Sequence, residues 1–160
     1  MLRLSKLTDY AVVVLIRLSR GEPVQTAPQI AISTGVPEPT VAKVLKALSA
    51  SGLVLSLRGA RGGYRLAQPL ADIPVARVIA AIDGPIALTA CVEGSGSVCS
   101  SQHHCPVSGR WNLVNDAIRT ALTGISLGDM AMVSLPPVLG SPGVNSGMFD
   151  LPFAVKELSR

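Results

Sequence analysis

The stretch from Thr26 to Leu66 narrows the fold more than any other part of the chain. Thr26-Ala27-Pro28-Gln29 fits a capping box with an early proline, a residue that needs no donor in the first turn of a helix. The helix opened there stops at Gly35. Another follows almost at once, with Val41, Val44, Leu45 and Leu48 spaced to share one face and Gly52 placed where a glycine closes a helix. Two helices joined by a tight turn containing glycine form a helix-turn-helix. Directly after them come Leu53–Leu57, then Arg58-Gly59-Ala60-Arg61-Gly62-Gly63, then Tyr64-Arg65-Leu66. Short apolar runs around a glycine-rich turn read as a β-hairpin, and a hairpin in this place is a wing. The expected fold class is mainly α with a small β-hairpin wing, a winged helix-turn-helix.

Other segments fill in around this unit. Leu7, Tyr10, Ala11, Val14, Leu15 and Leu18 follow a helical rhythm, with Thr8 expected as the cap and Gly21 as the end. A further helix is expected from Pro74 to Asp83, closed by Gly84, with Val75, Val78, Ile79 and Ile82 on one face. Pro85–Cys105 reads as a long loop, and loops of that length are usually functional or disordered. The last long helix is expected from about Val107 to Leu127, with Trp111, Val114, Ala117, Ile118, Ala121, Leu122 and Ile125 as its apolar stripe. An amphipathic helix at the end of a small domain packs on a symmetry mate, as in a C2 dimer, or docks on its own domain. The expected organisation is therefore a DNA-binding domain over 1–84, a cysteine loop over 85–106, a dimerisation helix over 107–128 and a disordered tail over 129–160. The apolar run Ala11–Ile16 is far too short to span a membrane, and no cleavage site follows it, so a cytoplasmic protein without membrane contact is expected.

Charge is distributed unevenly. Residues 1–70 carry nine basic and three acidic side chains, a net of +6, while residues 71–160 net −2. A basic half joined to a mildly acidic half points to a polyanion partner for the first half. The second helix of a helix-turn-helix enters the major groove with its N-terminal residues toward base edges. Its outward positions here include Glu38, Pro39, Thr40 and Lys43. Thr40 can hydrogen-bond a base or phosphate, Lys43 can reach guanine or phosphate, and Glu38 can accept from cytosine. Arg58, Arg61 and Arg65 on the wing would meet phosphate or the minor groove. A dimer of such heads expects a pseudo-palindromic site on double-stranded DNA. The competing reading is a winged helix used only for protein contacts, which the charge asymmetry disfavours.

The chain's three cysteines, Cys91, Cys99 and Cys105, fall within fifteen residues that also hold Gly94 and Gly96. An odd number, with no export signal, argues against a disulfide framework. Soft thiolates select zinc, copper(I) or iron–sulfur clusters. Structural zinc sites use closely spaced cysteine pairs, and gaps of seven and five residues do not match them. Wider gaps suit a cluster, with Asp9, His103 or His104 as candidate fourth ligand. Each of those three has a plain alternative, as a solvated loop histidine or a helix-start carboxylate. A redox thiol switch without a metal is the main rival to a cluster. No nucleophile–base pair or phosphate-cradling glycine motif is present, so an enzyme is not expected. A small iron–sulfur electron carrier would leave the helix-turn-helix and wing without purpose.

On these residues the chain resembles the winged-helix iron–sulfur regulators typified by the cluster-assembly regulator IscR and the nitric-oxide sensor NsrR. The resemblance rests on Leu4–Ala11, Thr40–Leu48, Gly52-Leu53-Val54, Arg58–Ala67 and the three-cysteine loop after Gly84–Leu88, and it covers about residues 1–130. It implies a homodimer with its C-terminal long helices crossed at the interface. It also implies a 2Fe-2S or 4Fe-4S cluster on the three cysteines, with 2Fe-2S favoured, and control of genes for cluster assembly, iron homeostasis or nitric-oxide response. The region Ala87–Cys91 looks most like the branch linked to the Suf assembly system. Two departures stand out. The first cysteine gap is seven residues where the assembly regulators have five, and Ser108 stands where they place a ligand histidine. Asp9 matches the position from which the nitric-oxide sensors recruit an aspartate.

Overall fold

The computed structural model describes residues 4–96, 99–100 and 104–132. In chain order it contains α1 (Lys6–Arg20), α2 (Ala27–Thr34), α3 (Glu38–Ala50), β1 (Val54–Leu57), β2 (Gly63–Leu66), α4 (Val75–Asp83), α5 (Trp111–Thr123) and α6 (Leu127–Ala131), with a short 3-10 turn at Leu70–Asp72. The expected mainly helical fold with a two-stranded wing is what the chain adopts.

The helical periodicity of α1, α3 and α4 becomes one aliphatic core. Ala11, Val14 and Leu15 of α1, Val41, Val44, Leu45 and Leu48 of α3, and Val78 of α4 are fully enclosed, joined by Ile30 from α2 and Leu53 before the wing. Local signals set the ends. Thr26 and Gln29 form the capping box at α2, and Gly35 closes it with φ +71, a left-handed conformation that costs glycine little. The expected cap of α1 is corrected. Ser5 caps it, its hydroxyl accepting from the Thr8 amide at 3.2 Å, while Thr8 is buried and donates to Asp83 Oδ2 at 2.8 Å. The carboxylate at the end of α4 recruits Thr8 for a tertiary contact, and Ser5 is left to satisfy the helix start.

β1 and β2 pair antiparallel with Val54 opposite Leu66 and Leu57 opposite Gly63. Gln25 extends this ribbon, its amide donating to Tyr64 O at 3.0 Å and its carbonyl accepting from Tyr64 N at 2.8 Å. The wing is therefore hydrogen-bonded to the connection between α1 and α2. A Cβ at Gly63 would lie 2.8 Å from the Gln25 carbonyl oxygen, so this approach requires glycine.

The helix expected from Val107 to Leu127 is shorter, and it is followed by a second one. Serial turns from Cys105 to Arg110 lead into α5, which ends at Thr123. The chain then returns to the head. Val75 N donates to Ile125 O at 2.9 Å, Leu127 N donates to Ile73 O at 2.8 Å, and Leu127 is fully buried in the core. Ser126 and Asp129 form a capping box that starts α6. Burial of Leu127 and this backbone pairing outweigh one more turn of α5. Residues 129–132, expected within a disordered tail, thus include the end of α6, whereas 133–160 lie outside the described residues. No described helix is long and apolar enough to cross a membrane.

Candidate nucleic-acid interface and cysteine segment

α3 turns its aliphatic face inward and leaves Glu38, Pro39, Ala42, Lys43 and Lys46 exposed, with Thr40 half-buried. The glycine turn before α3 and the buried Val36 fix its N-terminus at the surface. Arg58, Arg61 and Arg65 are exposed on the wing. Among the described residues, the side chains of Lys43, Lys46, Arg58, Arg61 and Arg65 make no hydrogen bond or ion pair, and the one ion pair is Arg119–Asp116 on α5. Five cations on two neighbouring elements, none neutralised by the protein, make a surface suited to a polyanion.

The register divides the wing into two faces. Val54, Ser56, Tyr64 and Leu66 share one side, whereas Leu55, Leu57 and Arg65 share the other. Val54 is buried and Tyr64 and Leu66 pack on the core, so the first side faces the head.

The cysteines occupy the connection between α4 and α5. Cys91, Cys99 and Cys105 are free thiols, each half-buried. Thr89 Oγ1 lies 3.1 Å from Cys91 Sγ, within hydrogen-bond reach of the sulfur. Gly94 and Gly96 have φ of +77 and +69, a left-handed conformation that favours glycine. The donor set suits a soft metal or cluster, since three thiols lie close in sequence and none is consumed in a disulfide. Among the described residues, however, no three cysteine, histidine or carboxylate side chains form a group that could hold a metal ion. His104 is exposed, and His103 lies outside the described residues. Asp9 is exposed on the first turn of α1, where it borders a cavity of about 490 Å³ together with Leu4, Thr8, Val12, Ile79 and Met130. None of the cysteines lines that cavity.

Three polar residues that sequence reasoning passed over hold this region together. Asn115 is buried on α5, with its Oδ1 accepting from Leu88 N at 3.1 Å and its Nδ2 donating to Ile86 O at 3.0 Å. Asn112 Oδ1 accepts from Glu93 N at 3.1 Å. Asp83 Oδ2 accepts from the Ser5 amide and the Thr8 hydroxyl, tying the end of α4 to the start of α1. Partial burial pushes the Asp83 carboxyl up, but its hydrogen bonds from Ser5 and Thr8 outweigh that and leave it below the usual carboxylate value. A signal for Asn115 was present in the sequence. It stands four residues after Trp111, a polar residue beside the expected apolar stripe.

Comparison with known proteins agrees with this architecture. Residues 4–132 match the family described as Rrf2, iron-dependent transcriptional regulator. The HTH-type transcriptional regulator IscR of Escherichia coli is 29% identical over 131 residues, covering 81% of this chain and 80% of the relative. Among solved structures, T. potens IscR is similar at 31% identity and TM-score 0.55, covering 81% of this chain and 85% of that one. The global cysteine regulator CymR of B. subtilis is similar at 28% identity and TM-score 0.60, covering 82% of this chain and 97% of that one. The chain belongs to the Rrf2 family: it is a DNA-binding transcriptional regulator and not an enzyme.

Proposed function

We propose that the protein is a homodimeric regulator that binds a pseudo-palindromic site on double-stranded promoter DNA and senses iron–sulfur cluster status through Cys91, Cys99 and Cys105. The observation that carries this reading is the pairing of three free, half-buried thiols on one short segment with an un-neutralised basic face on α3 and the wing. The family's description as iron-dependent supports it. Similarity to IscR supports genes of cluster assembly as the targets.

In this reading Glu38, Pro39, Thr40 and Lys43 present the start of α3 to base edges, while Arg58, Arg61 and Arg65 grip phosphate or enter the minor groove. The exposed apolar positions of α5, including Trp111, Leu113 and Val114, meet a second copy and set the spacing of two heads. Cys91, Cys99 and Cys105 would hold the cluster, 2Fe-2S in preference to 4Fe-4S. Asp9, His103 or His104 would complete the ligand set, and Asp9 would come from the partner copy. A bound cluster supplies a group that oxidant, nitric oxide or iron scarcity removes, so that occupancy reports the cell's state. A tenfold change in operator affinity requires about 1.4 kcal/mol of coupling.

The test is anaerobic purification followed by iron and acid-labile sulfide analysis. Iron and sulfide in the wild type, absent from a C91S/C99S/C105S variant, is the expected result. A protein free of both after reconstitution would overturn the cluster. The thiols would then act as a metal-free oxidation switch, for which all three are free. For the DNA face, Arg61→Ala is expected to weaken binding to all sequences and lower the salt slope by about one unit. An unchanged slope would remove the wing from the interface.

A further inference from the structure

Side-chain amides of α5 hold the cysteine segment by its backbone. Asn112 and Asn115 lie three residues apart and so share a face of the helix. In an extended chain, the carbonyl of one residue and the amide of the next but one lie on the same side. Ile86 O and Leu88 N are such a pair, and the Asn115 side-chain amide meets both. It acts as a short piece of neighbouring strand. Asparagine suits the position because it donates and accepts at once, whereas leucine would do neither and aspartate would place a carboxylate against the Ile86 carbonyl.

One turn earlier on α5, Asn112 holds the segment again at Glu93 N. From Thr89 to Ser95 the chain makes consecutive turns, Val92 N to Thr89 O and Ser95 N to Val92 O, and Val92 is buried. Cys91 sits inside this pinned stretch. Cys105 is joined to α5 differently, by the serial turns Ser108 N to Cys105 O, Arg110 N to Val107 O and Asn112 N to Gly109 O. The first and last cysteines are thus both attached to the same helix, one through side chains and one through the chain itself.

We infer that Asn112 and Asn115 are positioning residues that make the stretch from Ile86 to Glu93, with Cys91 inside it, move as one body with α5, so that a change at the Cys91 thiol is delivered to α5. The inference rests on the proposed sensing role of the cysteines and names the path by which the signal leaves them. A force drawing Cys91 and Cys105 together acts on α5 at two points of its N-terminal half. Asn115 transmits the Cys91 part, since its amide holds the segment's backbone at Ile86 and Leu88.

The test uses the full-length protein and the variants Asn115→Leu and Asn112→Ala. Amide exchange at Leu88 and Glu93 is followed by NMR without cluster. Both amides should be protected at least about tenfold in the wild type, and that protection should be lost at Leu88 in N115L and at Glu93 in N112A. Operator affinity is then measured with and without cluster. Cluster-free affinity should stay within about twofold of wild type in both variants, because neither residue lies on α3 or the wing, while the cluster-dependent ratio should collapse toward one. Rapid exchange of both amides in the wild type, or an undiminished ratio in N115L, overturns the inference. If the wild type takes up no iron, the cluster reading fails on its own. The ratio is then taken between protein with free thiols and protein alkylated by N-ethylmaleimide, and an undiminished ratio in N115L again overturns the coupling.

Discussion

The head and the cysteine-bearing half of this chain are held together by different physics. The head, from α1 to α4, encloses a dozen and more aliphatic side chains contributed by every helix. Between Pro85 and Ser126, the described residues that are buried are Val92 and Asn115. A core of Leu, Val and Ile stabilises by area removed from water, a contribution with no directional requirement. The second region relies on a few directional hydrogen bonds, which hold only in one arrangement. A regulator gains from this division. The head would keep its shape, while the cysteine segment, if it has the proposed sensing role, could be re-set by a local chemical event.

Truncation of the core should produce the largest effect. Leu48→Ala in α3, at a fully enclosed position, is expected to destabilise by about 2–5 kcal/mol in urea unfolding. Leu113→Ala on α5, where the side chain is 79% exposed, should fall within about 0.5 kcal/mol when measured at a protein concentration low enough to exclude self-association. Equal losses at the two sites would show that α5 is packed as tightly as the head. A second, smaller effect should appear in assembly. Val114→Glu places a charge on the exposed apolar face of α5, and sedimentation should show the proposed dimer weakened, its dissociation constant raised by at least about tenfold. An unchanged dimer would move the interface elsewhere.

The smallest effect is expected where the halves meet the start of α1. The folded Asp83 carboxyl lies below its ordinary value, so its contribution to stability is present above the unfolded carboxylate range and is lost as pH falls through the folded value. Solvent screens this exposed group, so Asp83→Asn should cost less than about 1 kcal/mol at neutral pH and should flatten the acid limb of the stability profile. An acid limb identical to wild type would mean that Ser5 and Thr8 do not hold the carboxylate in solution.

Legibility in the sequence followed the same division. Gly21, Gly35 and Gly84 stand directly after the ends of α1, α2 and α4, and the capping box at Thr26 is present as read. The basic positions of α3 and the wing lie exposed where helical and strand periodicity placed them. Thr8 was misread because its partner, Asp83, lies 75 residues away and leaves no local mark. The extent of α5 was overestimated for a related reason. Ile125 continues its apolar stripe, but the backbone of Ile125 and Leu127 pairs with the chain around Ile73 and Val75.

Periodicity, caps and turn glycines are carried by neighbours in the chain, and on their own they determined the helices of the head, the wing and the charged face they share. Which groups would reach across to another element was decided only by the tertiary structure. Asn115 on Ile86 and Leu88, Gln25 against Tyr64, and Leu127 in the core all join segments far apart in sequence. A hydrogen bond between such segments depends on where packing has already brought two backbones together, and no residue spacing records that distance.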